Sequence, residues 1–501
     1  MNRFRLLIPI AILLISCKSG NQKVETDEQL SYSLNYATFI ADIDFGGPAS
    51  SIYTDKQGYT YISGNTKNKD LPTTKGAFQT TLNGEKADAF IAKFDPENNL
   101  VFCTYIGGSK REHHTGLTVD EQGNIYLVGG THSYDFPVTK NAYDRTFNGE
   151  KDWAGDVYLL KLDPTGSKLL FSTFIGGSVQ ETADVVHVDN EGNIIIGGCT
   201  LSSDFPTTEN IIDREFRGFE AFLAKFNPTG EKLLFSTLLG GNNNDQVTCI
   251  STDNVNQIYI AGFTRSTDFP VTMDALRSKS ENINDSEWWD GTDNYLMKIS
   301  SDGSKILYSS YIGGKSRPIK TLNWKEPNKI LIAGNVNSEC FPITESALNS
   351  EPMGDRDGYI SIFNSDKMEL EYSTLLGGNS YDMIEDAFFL NEETILIGGE
   401  TNSTDFPLTK NAMDTIYPVN DSLYHPGFLG ERKFFVSLID INKGQLLYST
   451  YFNGGSRFNI SSDEDGNIRY FGITNDTNFS LTQNAIRKEP TAFIYGSLKM
   501  N

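Results

Sequence analysis

Side chains able to do acid–base or recognition chemistry are sparse in this sequence. Its 501 residues include only five histidines and four tryptophans. His113 and His114 follow a Gly107-Gly108 pair, and His132 follows the next apolar run. An imidazole there has the range of a general base at neutral pH, although a surface histidine pair explains the same residues without catalysis. His187, inside the apolar run 185–188, reads as an interior or channel residue, and His425 lies in a long polar segment. No Gly-x-Ser-x-Gly, His-Glu-x-x-His or Walker-type loop is present. Asp-x-x-Gly-Asn runs such as 189–193 and 463–467 lack the further ligands of a calcium loop and read as turns.

The elements that position these residues are repeats. Paired glycines recur at 46–47, 107–108, 176–177, 240–241, 313–314, 377–378 and 454–455, at intervals of roughly 60–80 residues. Between them stands Asp-Phe-Pro, intact at 135–137, 204–206, 268–270 and 405–407, and degraded to Asp70-Leu71-Pro72, Cys340-Phe341-Pro342 and Asn478-Phe479-Ser480. Each copy contains four short apolar or β-branched runs separated by Asp/Gly turns, so each is a four-stranded antiparallel meander. Neither face of the second strand is polar (125–128, 194–196), as expected of sheets covered on both sides by neighbours.

The chain ends decide between a ring and an open stack. The last copy stops after its third strand, while Ala37-Thr38-Phe39-Ile40 is an orphan fourth strand upstream of the first double glycine. Pairing the two removes open edges. The expected fold is all-β: a closed seven-bladed β-propeller of four-stranded antiparallel blades, its last blade completed by the N-terminal strand.

Four stretches carry a family resemblance: Thr104 to Gly108, Asp120 to Tyr126, Gly262 to Pro270 and Asp88 to Lys93. Together the units resemble the SBBP repeat of bacterial extracytoplasmic proteins, over residues 36–501. The resemblance implies a β-propeller and brings no shared catalytic motif.

Ahead of the ring, Arg3 and Arg5 precede the apolar run 6–15, which is too short to span a bilayer but suits a signal peptide. Leu14-Ile15-Ser16-Cys17 resembles a bacterial lipobox, making Cys17 the lipidated first residue. The chain therefore divides into a lipoprotein signal peptide (1–16), an anchored flexible tether (17–35) and the propeller (36–501), placed on a bacterial membrane, most simply the outer one. Cys103, Cys199, Cys249 and Cys340 fall in four different repeats without metal-ligand spacing. The net charge of −23 opposes nucleic acid and suits a cation, a neutral glycan or a basic protein face.

Two sets of ligand-binding candidates share the rim that holds the second-to-third-strand loops and the crossings between blades. The first set lies in and beside long insertions: Trp153, Trp288, Trp289 and His425, with His113, His114 and His132. Exposed aromatics on a rigid scaffold suit a glycan or protein partner. The second set lies four residues past each paired glycine: Glu112, Glu181, Asp245 and Asp382. Around one mouth these acids would favour a cation such as calcium; alternatively, each caps its own crossing loop by accepting backbone N–H bonds. The leading expectation is a non-enzymatic binding or scaffold module. The competing class is a polysaccharide lyase or glycoside hydrolase on the same scaffold.

Overall fold

The structure of the protein, a computed structural model, describes residues 31–501 except 41–49, 85, 150–154, 281–291, 314–316, 338–340, 418–431, 475–480, 487 and 489–492. Every regular element among the described residues is a strand. The first, β1 (Tyr32–Phe39), stands apart from the runs that follow. Blade 1 is β2 (Ser50–Thr54), β3 (Thr60–Thr66), β4 (Asp88–Phe94) and β5 (Leu100–Ile106). Blade 2 is β6 (Glu112–Val119), β7 (Ile125–Thr131), β8 (Asp156–Leu162) and β9 (Leu169–Ile175). Blade 3 is β10 (Glu181–Val188), β11 (Ile194–Thr200), β12 (Glu220–Phe226) and β13 (Leu233–Leu239). Blade 4 is β14 (Asp245–Thr252), β15 (Ile258–Thr264), β16 (Asp293–Ile299) and β17 (Ile306–Gly313). Blade 5 is β18 (Thr321–Lys325), β19 (Lys329–Val336), β20 (Asp357–Asn364) and β21 (Glu369–Leu376). Blade 6 is β22 (Asp382–Phe389), β23 (Thr394–Thr401), β24 (Lys433–Asp440) and β25 (Gln445–Gly454). Blade 7 takes β26 (Ser456–Ser462), β27 (Ile468–Ile473) and β28 (Phe493–Met500) from the C-terminus.

Each of the seven sheets has four antiparallel strands, and the last has the order β1-β28-β27-β26. The N-terminal strand thus completes the ring, with Ala37 opposite Gly496 and Phe39 opposite Ile494. Pairing begins already at Tyr32 opposite Met500, so 32–35 belong to the ring rather than to the tether.

Burial explains the two-sided apolar strands. All of β7, β11 and β15 is buried, and each core cluster mixes residues of adjacent blades, as Val128, Leu159, Ile196 and Phe222 show. A recurrent glycine shapes the inner strand. A Cβ on Gly129, Gly198 or Gly262 would lie 1.9 Å from the carbonyl oxygen of His113, Thr182 or Gln246. That close approach coincides with a bulge in the first strand of each blade, at 114/116, 183/185 and 247/249.

The Asp-x-x-Gly-Asn runs are turns whose acid is fully engaged. Asp120 accepts from the N–H groups of Gln122 and Asn124, from Asn124 Nδ2 and from Tyr126 Oη, and it pairs with Lys161 at 3.2 Å. Burial opposes ionisation there, yet these donors hold the Asp120 carboxyl below its ordinary range. Asp189 is paired likewise with Lys225 at 2.8 Å. Cys103, Cys199 and Cys249 are buried free thiols, and Cys340 lies outside the described residues.

Candidate functional site

Crossings and second-to-third-strand loops meet on one rim because they bond each other. Ser109 N–H donates to Asp135 Oδ1 (2.9 Å), Lys110 N–H to Ser133 Oγ (2.8 Å) and His132 N–H to Arg111 O (2.9 Å). The same bonds recur from Ser178 to Asp204, Asn242 to Asp268 and Asn379 to Asp405. The Asp of Asp-Phe-Pro is therefore a loop cap, and its Phe stacks inward; Phe136 lies 4.6 Å from Tyr158 between ring centroids.

Over this frame, an open pocket of about 480 Å³ lies between blades 1 and 2, lined by Phe78, Gln79, Asn83, Gly107, Gly108, Ser109, Asp135 and Pro137. The structure also brings His113 and His132 together, with ring centroids 5.6 Å apart. Burial, then the Arg111 charge and the second imidazole, push His113 down to about 4. Burial and Arg111 also lower His132. Both are thus neutral bases at physiological pH. His114 stands in β6 opposite Gly129. His187 is part of the wall: its Nε2 lies 2.9 Å from Thr252 Oγ1 of the next blade. Cys17, Trp153, Trp288, Trp289 and His425 lie outside the described residues.

The four acids past the paired glycines do not surround an open mouth. Glu112, Glu181, Asp245 and Asp382 are buried at the heads of their blades' first strands. Glu112 Oε1 accepts from Thr131 Oγ1 (2.9 Å) and Ser133 Oγ (2.5 Å). Asp245 Oδ2 accepts from Gly241 N–H and Ser266 Oγ, both at 2.8 Å, and Asp382 Oδ2 from Gly378 N–H and Ser403 Oγ, both at 2.7 Å. Glu181 Oε1 accepts from Thr200 Oγ1 (2.8 Å). These are the bonds of the capping alternative, strengthened by side-chain hydroxyls from the neighbouring strand.

Each of these acids also faces a second one that sequence reasoning missed, at the head of the third strand of the preceding blade. The pairs are Asp88 with Glu112, Asp156 with Glu181, Glu220 with Asp245 and Asp357 with Asp382, and the first glycine of the doublet sits between the partners. A Cβ on Gly176 would lie 2.8 Å from both Asp156 Oδ1 and Glu181 Oε2. Burial, with the facing carboxylate adding to it, raises Glu112 to about 8, Asp156 and Glu220 to about 7 and Asp382 to about 6; burial, with Asp268 adding to it, raises Asp245 to about 7. Among the described residues no group of three or more His, Cys, Asp or Glu is placed to hold a metal ion.

A family model described as a β-propeller repeat, SBBP, matches residues 101–137, from β5 across the crossing into blade 2. That stretch is an SBBP β-propeller repeat. No curated protein matches it. Among solved structures, the chain is similar to the WD40 domain of Neurospora crassa Pan2 (10% identity over 87% of this chain and 93% of that one, TM-score 0.40). It is also similar to a family PL25 ulvan lyase (10% identity, 88% and 92% covered, TM-score 0.42) and to the Doa1 WD40 propeller (8% identity, 93% and 97% covered, TM-score 0.39). Identities this low speak to fold alone.

Proposed function

We propose that this protein is an extracytoplasmic, lipid-anchored propeller that binds a glycan or protein ligand on its crossing rim without turning it over. The observation that carries this reading is the pocket between blades 1 and 2. Its volume is in the range of ligand sites, and its lining combines the side chains of Asn83 and Phe78 with Gln79 and Asp135, which are held in place by bonds to Asp88, Gly107 and Ser109. Such groups recognise hydroxyls and peptide bonds, and the lining contains no acid–base pair. The anchor rests on the apolar run 6–15 and Cys17, and the charge of −23 turns the ring away from nucleic acid.

One arrangement favours a second reading. His113 and His132 are neutral, adjacent and beside Arg111, which suits proton abstraction next to a carboxylate held by a guanidinium, as in a polysaccharide lyase. The test is a screen of the chain from residue 18 onward against neutral and uronate-containing polysaccharides and extracellular proteins. Saturable binding with unchanged polymer length is the expected result. Release of unsaturated sugar products, abolished by H113A or H132A, would replace the binding module with the lyase.

A further inference from the structure

We infer that the buried carboxyl pairs between blades 1–2, 2–3, 3–4 and 5–6 each share one proton, so that four protons are structural components of the ring. The argument starts from atoms that have nothing to bond. Asp156 Oδ1, Glu181 Oε2, Glu220 Oε2, Asp245 Oδ1, Asp357 Oδ1, Asp382 Oδ1 and Glu112 Oε2 are buried without a hydrogen-bond partner, on residues exposed by 1% or less. The companion oxygens are occupied: Asp156 Oδ2 by Asn148 N–H, Glu220 Oε1 by Arg217 N–H, Asp357 Oδ2 by Met353 N–H, and those of the first-strand acids by the hydroxyls and glycine amides already described. Both carboxyls of a pair press on one glycine. At Gly107 the distances to a built Cβ are 2.6 Å from Asp88 Cγ and 2.6 Å from Glu112 Oε2, so the groups lie at most twice that apart.

Two ionised carboxylates so close and so buried repel strongly. One proton between them removes a charge and supplies a donor to the free oxygens. Calcium would take about six to eight oxygens, whereas each junction offers two carboxylates. Among the described residues, the following charged and titratable groups face the pairs. Asp144 acts on Asp156 and Asp204 on Glu181; Asp213 and Arg217 act on Glu220 and Asp268 on Asp245. Tyr451 and Asp405 stand by Asp382, and the neutral phenols Tyr158 and Tyr105 stand by Glu112 and Asp88. Arg217 is a base in that set, and Arg111 and Arg356 directly precede Glu112 and Asp357 in the chain.

The sign follows from linkage. The unfolded chain, with ordinary carboxyls, has released these protons by neutral pH, whereas the folded ring keeps them to about pH 6–8. Their contribution is therefore lost as pH rises through that window, where the native state binds more protons. The experiment is denaturant unfolding of the full chain and of E181Q from pH 5 to 9. The wild-type unfolding constant should rise by on the order of tenfold per pH unit for each shared proton as pH climbs from 5 toward that window, and level off above it. E181Q, whose amide donates permanently to Asp156, should lower that slope by one proton's worth. Infrared spectra of the wild type should show a protonated-carboxyl band at pH 7 that disappears by pH 9, a reading independent of whether the variant folds. An absent band, a slope unchanged in E181Q, or calcium restoring alkaline stability to the wild type but not to E181Q would each overturn the inference.

Discussion

Removing β1 should open the ring, and the structure says how severely. Its side chains serve two interfaces at once. Tyr32, Ala37 and Phe39 pack with Tyr448, Phe452, Phe458 and Tyr470 toward blade 6, while Tyr36 and Ile40 pack with Phe90, Phe471 and Tyr495 toward blade 1. Phe39 and Tyr36 are almost wholly buried, so Phe39→Ala should cost about 3–5 kcal/mol by the usual toll of emptying an aromatic core site, and Tyr36→Ala a similar amount. Against a typical total of about 5–15 kcal/mol, deleting residues 31–40 should leave no cooperative fold, because it also bares the edge of β28.

A control separates loss of the strand from loss of the N-terminus. Asn501 N–H donates to Ser31 O at 2.9 Å, so a short turn can join 501 to 31 and place β1 at the C-terminal end of a permuted chain beginning at Ser50. Denaturant unfolding should show the permutant close to the parent and the deletion collapsed. A deletion variant with the parent's midpoint, or a permutant as weak as the deletion, would refute the shared blade.

Two further outcomes follow from local geometry. Gly129→Ala drives a Cβ to 1.9 Å from the His113 carbonyl and should cost about 1–3 kcal/mol or more. Gly130→Ala, whose nearest neighbour is Glu181 O at 3.8 Å, should be neutral or slightly stabilising in the same unfolding assay. Burial pushes His187 down to about 4, with Asp189 opposing. As its folded value lies below its unfolded one, it should weaken the ring as pH falls from about 6.5 toward 4. The ring protons of His187 should not titrate by NMR above pH 5, and His187→Gln should flatten that limb of the stability curve.

The parts of the fold legible in the sequence are those imposed by the backbone. Paired glycines, Asp-x-x-Gly-Asn turns and Asp-Phe-Pro caps each answer a steric or hydrogen-bonding demand that recurs in every blade, and the orphan strand before Gly46 announced closure. The acids were harder. Glu112 and Asp88 come from different blades, and nothing local shows that they meet. A signal did exist: Thr131-x-Ser133, Thr200-x-Ser202, Thr264-x-Ser266 and Thr401-x-Ser403 accompany the four first-strand acids. Hydroxyls from this run receive each acid as a buried group. A repeat that carries its acid together with those hydroxyls describes a cap, whereas an open cation ring needs no such donors.

The junctions that depart from this pattern explain why it exists. Gln79, Asp144, Asp213, Arg277, Asn349 and Asp414 are equivalent, since each donates its N–H to the hydroxyl of a Thr or Ser in its blade's fourth strand. Between blades 4 and 5 the first-strand acid is missing, Pro318 standing four residues past the glycines; there the equivalent position is Arg277, and a single acid, Asp293, heads the third strand. Between blades 6 and 7 the third-strand acid is replaced by Lys433, whose Nζ reaches Asp414 Oδ2 at 3.3 Å. Where acids of the pair have been lost, one between blades 4 and 5 and both between blades 6 and 7, where Asn459 stands four residues past the glycines, a basic residue occupies a position in the same junction. Where both acids remain, the equivalent position is Gln, Asn or Asp, and of these Asp213 holds a cation, Arg217, at 2.8 Å. Buried charge is tolerated only when it is balanced. Among these six junctions a basic residue stands at two, and at the four that keep both acids the inferred proton takes its place, its retention dependent on the pH of the surroundings.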